Sequence, residues 1–293
     1  MTRYKGFFNR FNYIPYLFIL PAFILILLFK AYPIYKTIID GFKNDGMWTF
    51  SVYKRVFSDM SFWNSLWISI KINLIMLPLQ IILAFCMALL VNVDIKGVGI
   101  FRTIYYLPVT ISLTIATILW NLMLSPNNGV INSMLGIINI PPQGFLISKS
   151  QALWSIVVIA SWKGVGFWMM FILAGLKNID SGLFESAKMD GARYLTVLFK
   201  IVIPMIKKVL LFVIIADTIG GMLLFAPVQL ITKGGPEGST HVLIYEAYNA
   251  AFLFGDRPRA AVIVTVLLII IIIIVVIQFK FLNGKDDSTI KGR

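Results

Sequence analysis

The chain has 293 residues, of which 59% are hydrophobic and only 13% charged, with a mean hydropathy of +0.86. Soluble domains carry about 25% charged residues, so an ordinary soluble two-domain enzyme is excluded, and the long apolar blocks mark an all-α, polytopic membrane protein. The net charge of +13 comes from 26 basic against 13 acidic residues; on a soluble chain it would point to nucleic acid, but here the cations cluster between apolar blocks, as the positive-inside rule requires, and no nucleic-acid partner is expected. One cysteine, Cys86, and one histidine, His241, leave no internal disulfide, Cys-based zinc site or His-pair metal motif. No metal site and no cofactor bound by this chain is expected.

A helix needs about 20 apolar residues to cross a hydrocarbon core of roughly 30 Å. About six candidates occur, at residues 13–32, 67–91, 103–124, 153–176, 209–230 and 260–281. Lys30 sits near the outer end of the first, and Pro78 lies within the second. The third and fifth carry polar, Gly and Pro positions inside them, whereas the sixth is uninterrupted, with Ile269 to Ile274 at its centre. Arg3, Lys5 and Arg10 precede the first block as in a secretory signal, but its apolar run is longer than a signal core and no small-x-small site follows, which makes it an uncleaved anchor. With the N-terminus cytoplasmic, 15 cations fall in inside segments and 8 in outside ones, so both termini are expected in the cytoplasm. The chain then divides into a cytoplasmic N-terminus at 1–12, a transmembrane domain at 13–283 and a cytoplasmic tail at 284–293.

The cytoplasmic segment 177–204, between spans four and five, carries the most information. Asp180 or Ser181 suits a helix N-cap. Leu183, Phe184 and Ala187 give a short apolar stripe, and Gly191 can end the helix in a left-handed conformation. A second helix is expected from about Ala192, with Pro204 near the entry of the fifth span. The helix would expose the small residues Ser186 and Ala187 beside Glu185, Lys188 and Asp190. On the residues alone it is either a docking element or an interfacial connector that packs only on its own bundle.

The spacing adds to this. Glu185, Ser186, Ala187, Gly191, Ile201, Ile203 and Pro204 match the EAA motif of ABC-importer permeases, with Ser186 standing where Ala is usual, and Asp190-Gly191-Ala192 fits the pattern around the motif's glycine. Tyr16 to Pro21, Phe62 to Trp67, Pro78 to Gln80, Phe101 to Thr103, Trp162 to Phe167 and Leu173 to Leu176 are also similar to successive segments of that family. Thr232 and Gly234-Gly235-Pro236 resemble its outer loop, with Lys233 in place of one Gly. The chain thus resembles the carbohydrate-uptake branch of the binding-protein-dependent permeases, of the maltose-permease-F type in its short, six-span form. The resemblance implies the ABC type I importer permease architecture and a bacterial plasma-membrane location. It implies a second permease forming a heterodimer, two ATPase subunits holding ATP-Mg, and an extracytoplasmic solute-binding protein. It assigns ATPase coupling to Glu185, Ser186, Ala187, Lys188, Asp190, Gly191, Ala192 and Pro204, and a sugar as the solute.

No Gly-x-x-x-x-Gly-Lys-Ser/Thr stretch is present, so ATP would be hydrolysed on another chain and this one is not expected to be an enzyme. Neutral sugars are held by aromatic faces and hydrogen-bonding side chains. Candidates for the pathway are Trp120, Asn121, Trp162, Lys163, Phe167, Asp217 and Gln229, with Trp168 beside them. The tryptophans equally suit interfacial anchoring or helix packing. Lys163 and Asp217 are costly within a bilayer and could pair with each other, with the partner permease or with headgroups. Cys86 is expected to be packing, and His241 an outer-loop residue without a ligand role. A membrane-embedded enzyme would need a second acid or a His near Asp217, and an ion-driven carrier often shows an internal repeat; neither is present in the sequence. A non-sugar solute such as a polyol, a glycerophosphodiester or a peptide, and an ATP-independent channel or carrier, remain as alternatives.

Overall fold

The computed structural model describes residues 14–44 and 46–283; the N-terminal segment at 1–12 and the tail at 284–293 lie outside the described residues. Among the described residues the regular structure is helical except for a short hairpin pairing Lys43–Asn44 with Met47–Trp48. In order the helices are α1 (Ile14–Ile26), α2 (Tyr32–Asp40), α3 (Ser51–Ser58), α4 (Met60–Val91), α5 (Val98–Thr110), α6 (Leu113–Met123), α7 (Val130–Ile137), α8 (Ala152–Lys177), α9 (Ser181–Met189), α10 (Tyr194–Val197), α11 (Ile203–Met205), α12 (Lys207–Met222), α13 (Leu243–Tyr248) and α14 (Arg257–Asn283).

Among the described residues, four helices are long and apolar enough to cross a membrane: Pro15–Asp40, Met60–Val91, Ala152–Lys177 and Arg257–Phe281. The expected third span is a pair, α5 and α6, bent by 96°. Its break has local causes. The β-branched run Val109-Thr110-Ile111 has low helix propensity, Thr110 Oγ1 donates back to the Leu107 carbonyl at 2.7 Å, and Ser112 is extended and caps α6 by accepting from the Ile115 amide at 3.2 Å. The expected fifth span is α12, 16 residues long, or about 24 Å; after a break the chain continues as a π turn at Val228–Thr232. The first span runs on past residue 32, because a π turn at Leu27–Ala31 carries it into α2 with Pro33 at a position that needs no intrahelical N–H. Lys30 is therefore inside a continuous helix rather than at its end. The second begins at Met60, where Asp59 caps it by accepting from the Ser61 amide at 2.8 Å. Cys86 is exposed on α4, not packed.

α4, α8 and α12 form the centre. Gly164 of α8 faces Gln80 of α4, and Gly166 faces the Tyr105 carbonyl of α5, so that a Cβ at either position would overlap its neighbour. α4 and α8 run in the same direction, as the clusters along them show: Ile72 and Met76 pack with Leu153, Ile156 and Ile159, and further along Ala84, Ala88 and Val91 pack with Met169, Ile172 and Leu176. The second of these clusters leads to α9. At the far end a third cluster joins α3, the start of α4, α13 and α14 through Val56, Phe62, Leu243, Val262 and Ile263.

An ion network seals that far end. Arg259 at the start of α14 donates to Asp59 and to Glu246, both at 2.6 Å, and His241 Nε2 lies 2.9 Å from the second Glu246 oxygen. Glu246 is almost fully buried, its side chain 7% exposed. Arg55 pairs with Asp256 at 2.9 Å, and Asp256 in turn accepts from the Arg259 amide at 3.0 Å. The hydrogen bond from His241, against the opposing effect of burial and with the help of Arg259, holds the Glu246 carboxyl below its ordinary range. Burial works against the Asp59 carboxyl, but the Arg259 guanidinium and the Ser61 amide hold it low as well. Arg259→Met leaves Glu246 buried without its cation and should cost about 3–5 kcal/mol, read as a lowered melting temperature in detergent. Because both carboxyls are depressed in the folded state, their contribution is complete above about pH 5 and is lost as the pH falls through the carboxylate range. The wild-type melting temperature should therefore drop on acidification more steeply than that of Arg259→Met.

Candidate functional site

α9 stands out at one end of the bundle, between α8 and the chain leading into α12. Asp180 caps it, accepting from the Gly182 amide at 3.1 Å. It is closed by an Ala192 amide bond to the Ala187 carbonyl at 2.9 Å and a Gly191 amide bond to Lys188 at 3.1 Å. Gly191 has φ +69° with open space around it, so its glycine answers to the left-handed backbone and not to crowding.

The helical period decides which face is free. Ala187 is buried and Phe184 half-buried, whereas Glu185, Ser186, Lys188 and Asp190 are exposed and Met189 is 88% exposed. The expectation that Ala187 is displayed beside Ser186 is corrected: a small residue three positions after Phe184 faces inward with it. The second helix starts at Tyr194, after Arg193, two residues later than expected. Pro204 lies in α11, one turn before α12. Both flanks of α9 are anchored, since Leu176 and Ile179 before it and Val202 and Ile206 after it belong to one buried cluster. Behind α9 is a cavity of about 410 Å³ bordered by Asn92, Phe184, Lys188, Ala192 and Tyr194.

A second site lies between α4, α8 and α12, halfway along the bundle. It is a cavity of about 240 Å³ lined by Gln80, Lys163, Phe167, Trp168 and Asp217, with Gly221 and Leu224 at its wall. Lys163 and Asp217 meet here but do not pair. Lys163 Nζ donates to the Val109 carbonyl at 2.8 Å, one residue before α5 ends, and so satisfies a backbone acceptor at the break in the third span. Asp217 Oδ1 accepts from Trp168 Nε1 at 2.8 Å. Asp217 Oδ2 and Gln80 Oε1 are buried and have no hydrogen-bond partner among the described residues. The cavity wall thus contains two buried acceptors without a protein partner, beside the edge-to-face rings of Phe167 and Trp168, 4.9 Å apart.

The other pathway candidates are elsewhere. Trp120 and Trp162 pack edge to face at 5.7 Å. Asn121 is exposed, and Gln229 is half-buried in the π turn at Val228–Thr232; neither lines this cavity. Sequence reasoning missed Gln80 and Asn73, whose amide donates to the Thr218 carbonyl at 2.9 Å. The signal was present: two buried amides seven residues apart, with Met76 between them, mark one face of an otherwise apolar helix. Among the described residues, no group of three His, Cys, Asp or Glu side chains could hold a metal ion.

Residues 3–285 match the family of binding-protein-dependent transport system inner membrane components. The chain is 30% identical over 241 residues to the trehalose/maltose transport system permease protein MalF of Thermococcus litoralis, covering 80% of this chain and 82% of that protein. It is 35% identical over 249 residues to the lactose transport system permease protein LacF of Rhizobium radiobacter, covering 82% and 83%. With the sn-glycerol-3-phosphate transport system permease protein UgpA of Agrobacterium fabrum it shares 28% over 251 residues, covering 82% and 84%. Its fold matches a chain of a bacterial ABC transporter involved in the import of the acidic polysaccharide alginate, with a TM-score of 0.84 at 22% identity, over 94% of this chain and 96% of that one. A chain that matches over this length belongs to the family of binding-protein-dependent inner membrane components. It is a multi-pass ABC-transporter permease, a transport subunit and not an enzyme.

The close approach of α8 to α5 gives a direct test of the fold around this cavity. Gly166→Ala puts a methyl group against the Tyr105 carbonyl and should cost about 1–3 kcal/mol as the helices separate, measured as a lower melting temperature of the detergent-solubilised protein.

Proposed function

We propose that this chain is one of two permease subunits in an ATP-driven importer, that α9 is the element on which an ATPase subunit docks, and that the α4–α8–α12 cavity is where the solute passes. The observation that carries the docking role is the division of α9 into a free face, with Glu185, Ser186 and Met189, and an underside fixed by Ala187 and Phe184. A capped helix held at both ends to spans but unpacked on its outer side can receive a push and pass it on to α8 and α12. The hydrogen bond from Trp168 to Asp217 joins those two helices at the cavity wall. ATP-Mg belongs to two partner ATPase subunits in this reading, a second permease completes the pathway, and an extracytoplasmic binding protein delivers the solute. The excess of cations in alternate loops supports α9 and both termini on the cytoplasmic side.

A sugar or oligosaccharide is the solute class proposed. Aromatic rings beside buried, unpartnered acceptors suit a polyhydroxylated molecule, whose O–H groups can donate to Gln80 Oε1 and Asp217 Oδ2 once helix movement uncovers them. Relatives named for trehalose/maltose and for lactose support the same class. The second reading, a small phosphate-bearing polyol, is favoured by Lys163 in the cavity and by a relative named for sn-glycerol-3-phosphate.

Two substitutions separate docking from passage. Glu185→Arg should abolish co-purification of the ATPase and ATP-driven uptake while leaving the melting temperature of the chain unchanged. Asp217→Asn should keep the ATPase bound and lower uptake of the transported sugar about tenfold, the effect of weakening one substrate hydrogen bond. Normal assembly and uptake in Gly191→Pro would rule out the docking role of α9.

A further inference from the structure

A depression of about 420 Å³ opens near the far end of α4 and α8, lined by Asn64, Trp67, Lys71, Lys149, Trp154 and Ser239 among others. Neither the transport cavity nor α9 touches it. Its depth in the bilayer follows from helix register. Gly164 faces Gln80, and α4 and α8 run the same way, so nine residues back along each helix Lys71 stands level with Ser155. From Lys71 to the end of α4 at Val91 is about 30 Å at 1.5 Å per residue, the thickness of the hydrocarbon core. With Val91 placed at the inner hydrocarbon boundary, Lys71 falls at the outer one. Trp67 and Trp154, 59% and 55% exposed, lie in the zone where tryptophans anchor to headgroups.

Lys71 is exposed and has no hydrogen-bond or ion-pair partner among the described residues. Trp67 and Asn64 lie one and two turns before Lys71 on α4 and border the same depression. A cation at that depth calls for an anion. Lys149 approaches from the loop before α8 and holds Glu237 at 2.6 Å, both side chains being largely exposed. An exposed pair of this kind holds weakly. Glu237 sits in the left-handed region at φ +47°, beside Gly238 at φ +73°, a conformation that costs a non-glycine residue strain. Ser239 Oγ is buried and without a partner among the described residues. Two lysines against one carboxylate leave the depression with one net positive charge, an asparagine as a further donor, and two exposed tryptophans.

We propose that this depression binds the phosphodiester of an anionic glycerophospholipid in the leaflet at the far end of the bundle. Lys71 and Lys149 hold the phosphate, Trp67 and Trp154 flank the glycerol and upper acyl chain, and Glu237 is the internal anion that the phosphate displaces from Lys149. A lipid with a single net negative charge matches the single net positive charge of the site; phosphatidylcholine brings a third cation beside the two lysines and binds more weakly.

The test is native mass spectrometry of the full chain, in the complex in which it purifies, extracted in a neutral detergent and titrated with phosphatidylglycerol, phosphatidylcholine or inorganic phosphate. Wild type should retain phosphatidylglycerol over phosphatidylcholine. Lys71→Gln should weaken that retention about tenfold, the effect of losing one charge-assisted hydrogen bond. Glu237→Gln should strengthen it, since the competing carboxylate is gone, an effect that general surface adsorption does not predict. Equal retention of the two lipids by wild type, or unchanged phosphatidylglycerol binding in the Lys71→Gln/Lys149→Gln double variant, would overturn the proposal. Retention of inorganic phosphate in preference to lipid, lost in the same double variant, would overturn the lipid as occupant. The readout does not use uptake, so it stands apart from the transport reading.

Discussion

Hydrocarbon offers backbone groups no hydrogen-bond partner, so a transmembrane helix can stop only where another group takes over its donors and acceptors. The arrangement at the centre of this protein follows from that constraint. The third span breaks between Thr110 and Ser112, and two side chains make the break tenable: Ser112 caps the amides of α6, and Lys163 of α8 donates to the Val109 carbonyl. Lys163 is thereby committed to the backbone and is not free to neutralise Asp217, which takes its hydrogen bond from Trp168 instead. The cavity wall is built from these commitments. What they leave over is one buried oxygen each of Asp217 and Gln80 without a partner, and in the proposed mechanism these are the groups a solute would meet.

The same helices differ in how tightly they are held. α8 is pinned to α4 and α5 by glycines at which backbone and side chain come into direct contact. α12 is shorter and is interrupted at both ends, at Ile206 and again after Met222. In the proposed mechanism the push on α9 reaches both helices, and α12, the less tightly held, moves further than α8. Asp217 on α12 and Trp168 on α8 then report the relative position of the two helices, because their hydrogen bond survives only while the two stay at one level.

Much of this could be read from the sequence, and the failures have physical reasons. The long spans were legible because apolar runs of more than twenty residues have few other uses. α9 was legible because its start and stop signals, Asp180 and Gly191, act locally. The break in the third span was less so: Pro108, the β-branched run and Ser112 are each tolerable in a helix, and only together do they stop one. The inward turn of Ala187 depends on which side the bundle lies, which no short window contains. The partners of Lys163 and Asp217 were missed because one is a carbonyl freed by that break and the other an indole that reads equally well as packing. The far-end network was invisible because Arg259 and Asp59 are 200 residues apart, and nothing in the neighbourhood of either foretells the other.

The helix that runs through α1 and α2 has one property with a consequence for how the protein is made. The apolar window of this span is 0% buried in the single chain, and it rests on the remainder mainly where α2 lies along α14. It is the first of the described spans to be synthesised, and α14, beginning at Arg257, is the last. At 5–20 residues per second, on the order of ten seconds or more separate the two. A helix that is apolar on every side is stable in lipid by itself, in the manner of independently inserted spans that associate afterwards. During that interval it is a free-standing element of the membrane, available to whichever helix reaches it first. In the proposed two-permease assembly, the order of translation therefore lets a helix of the second permease engage it before its own chain has closed.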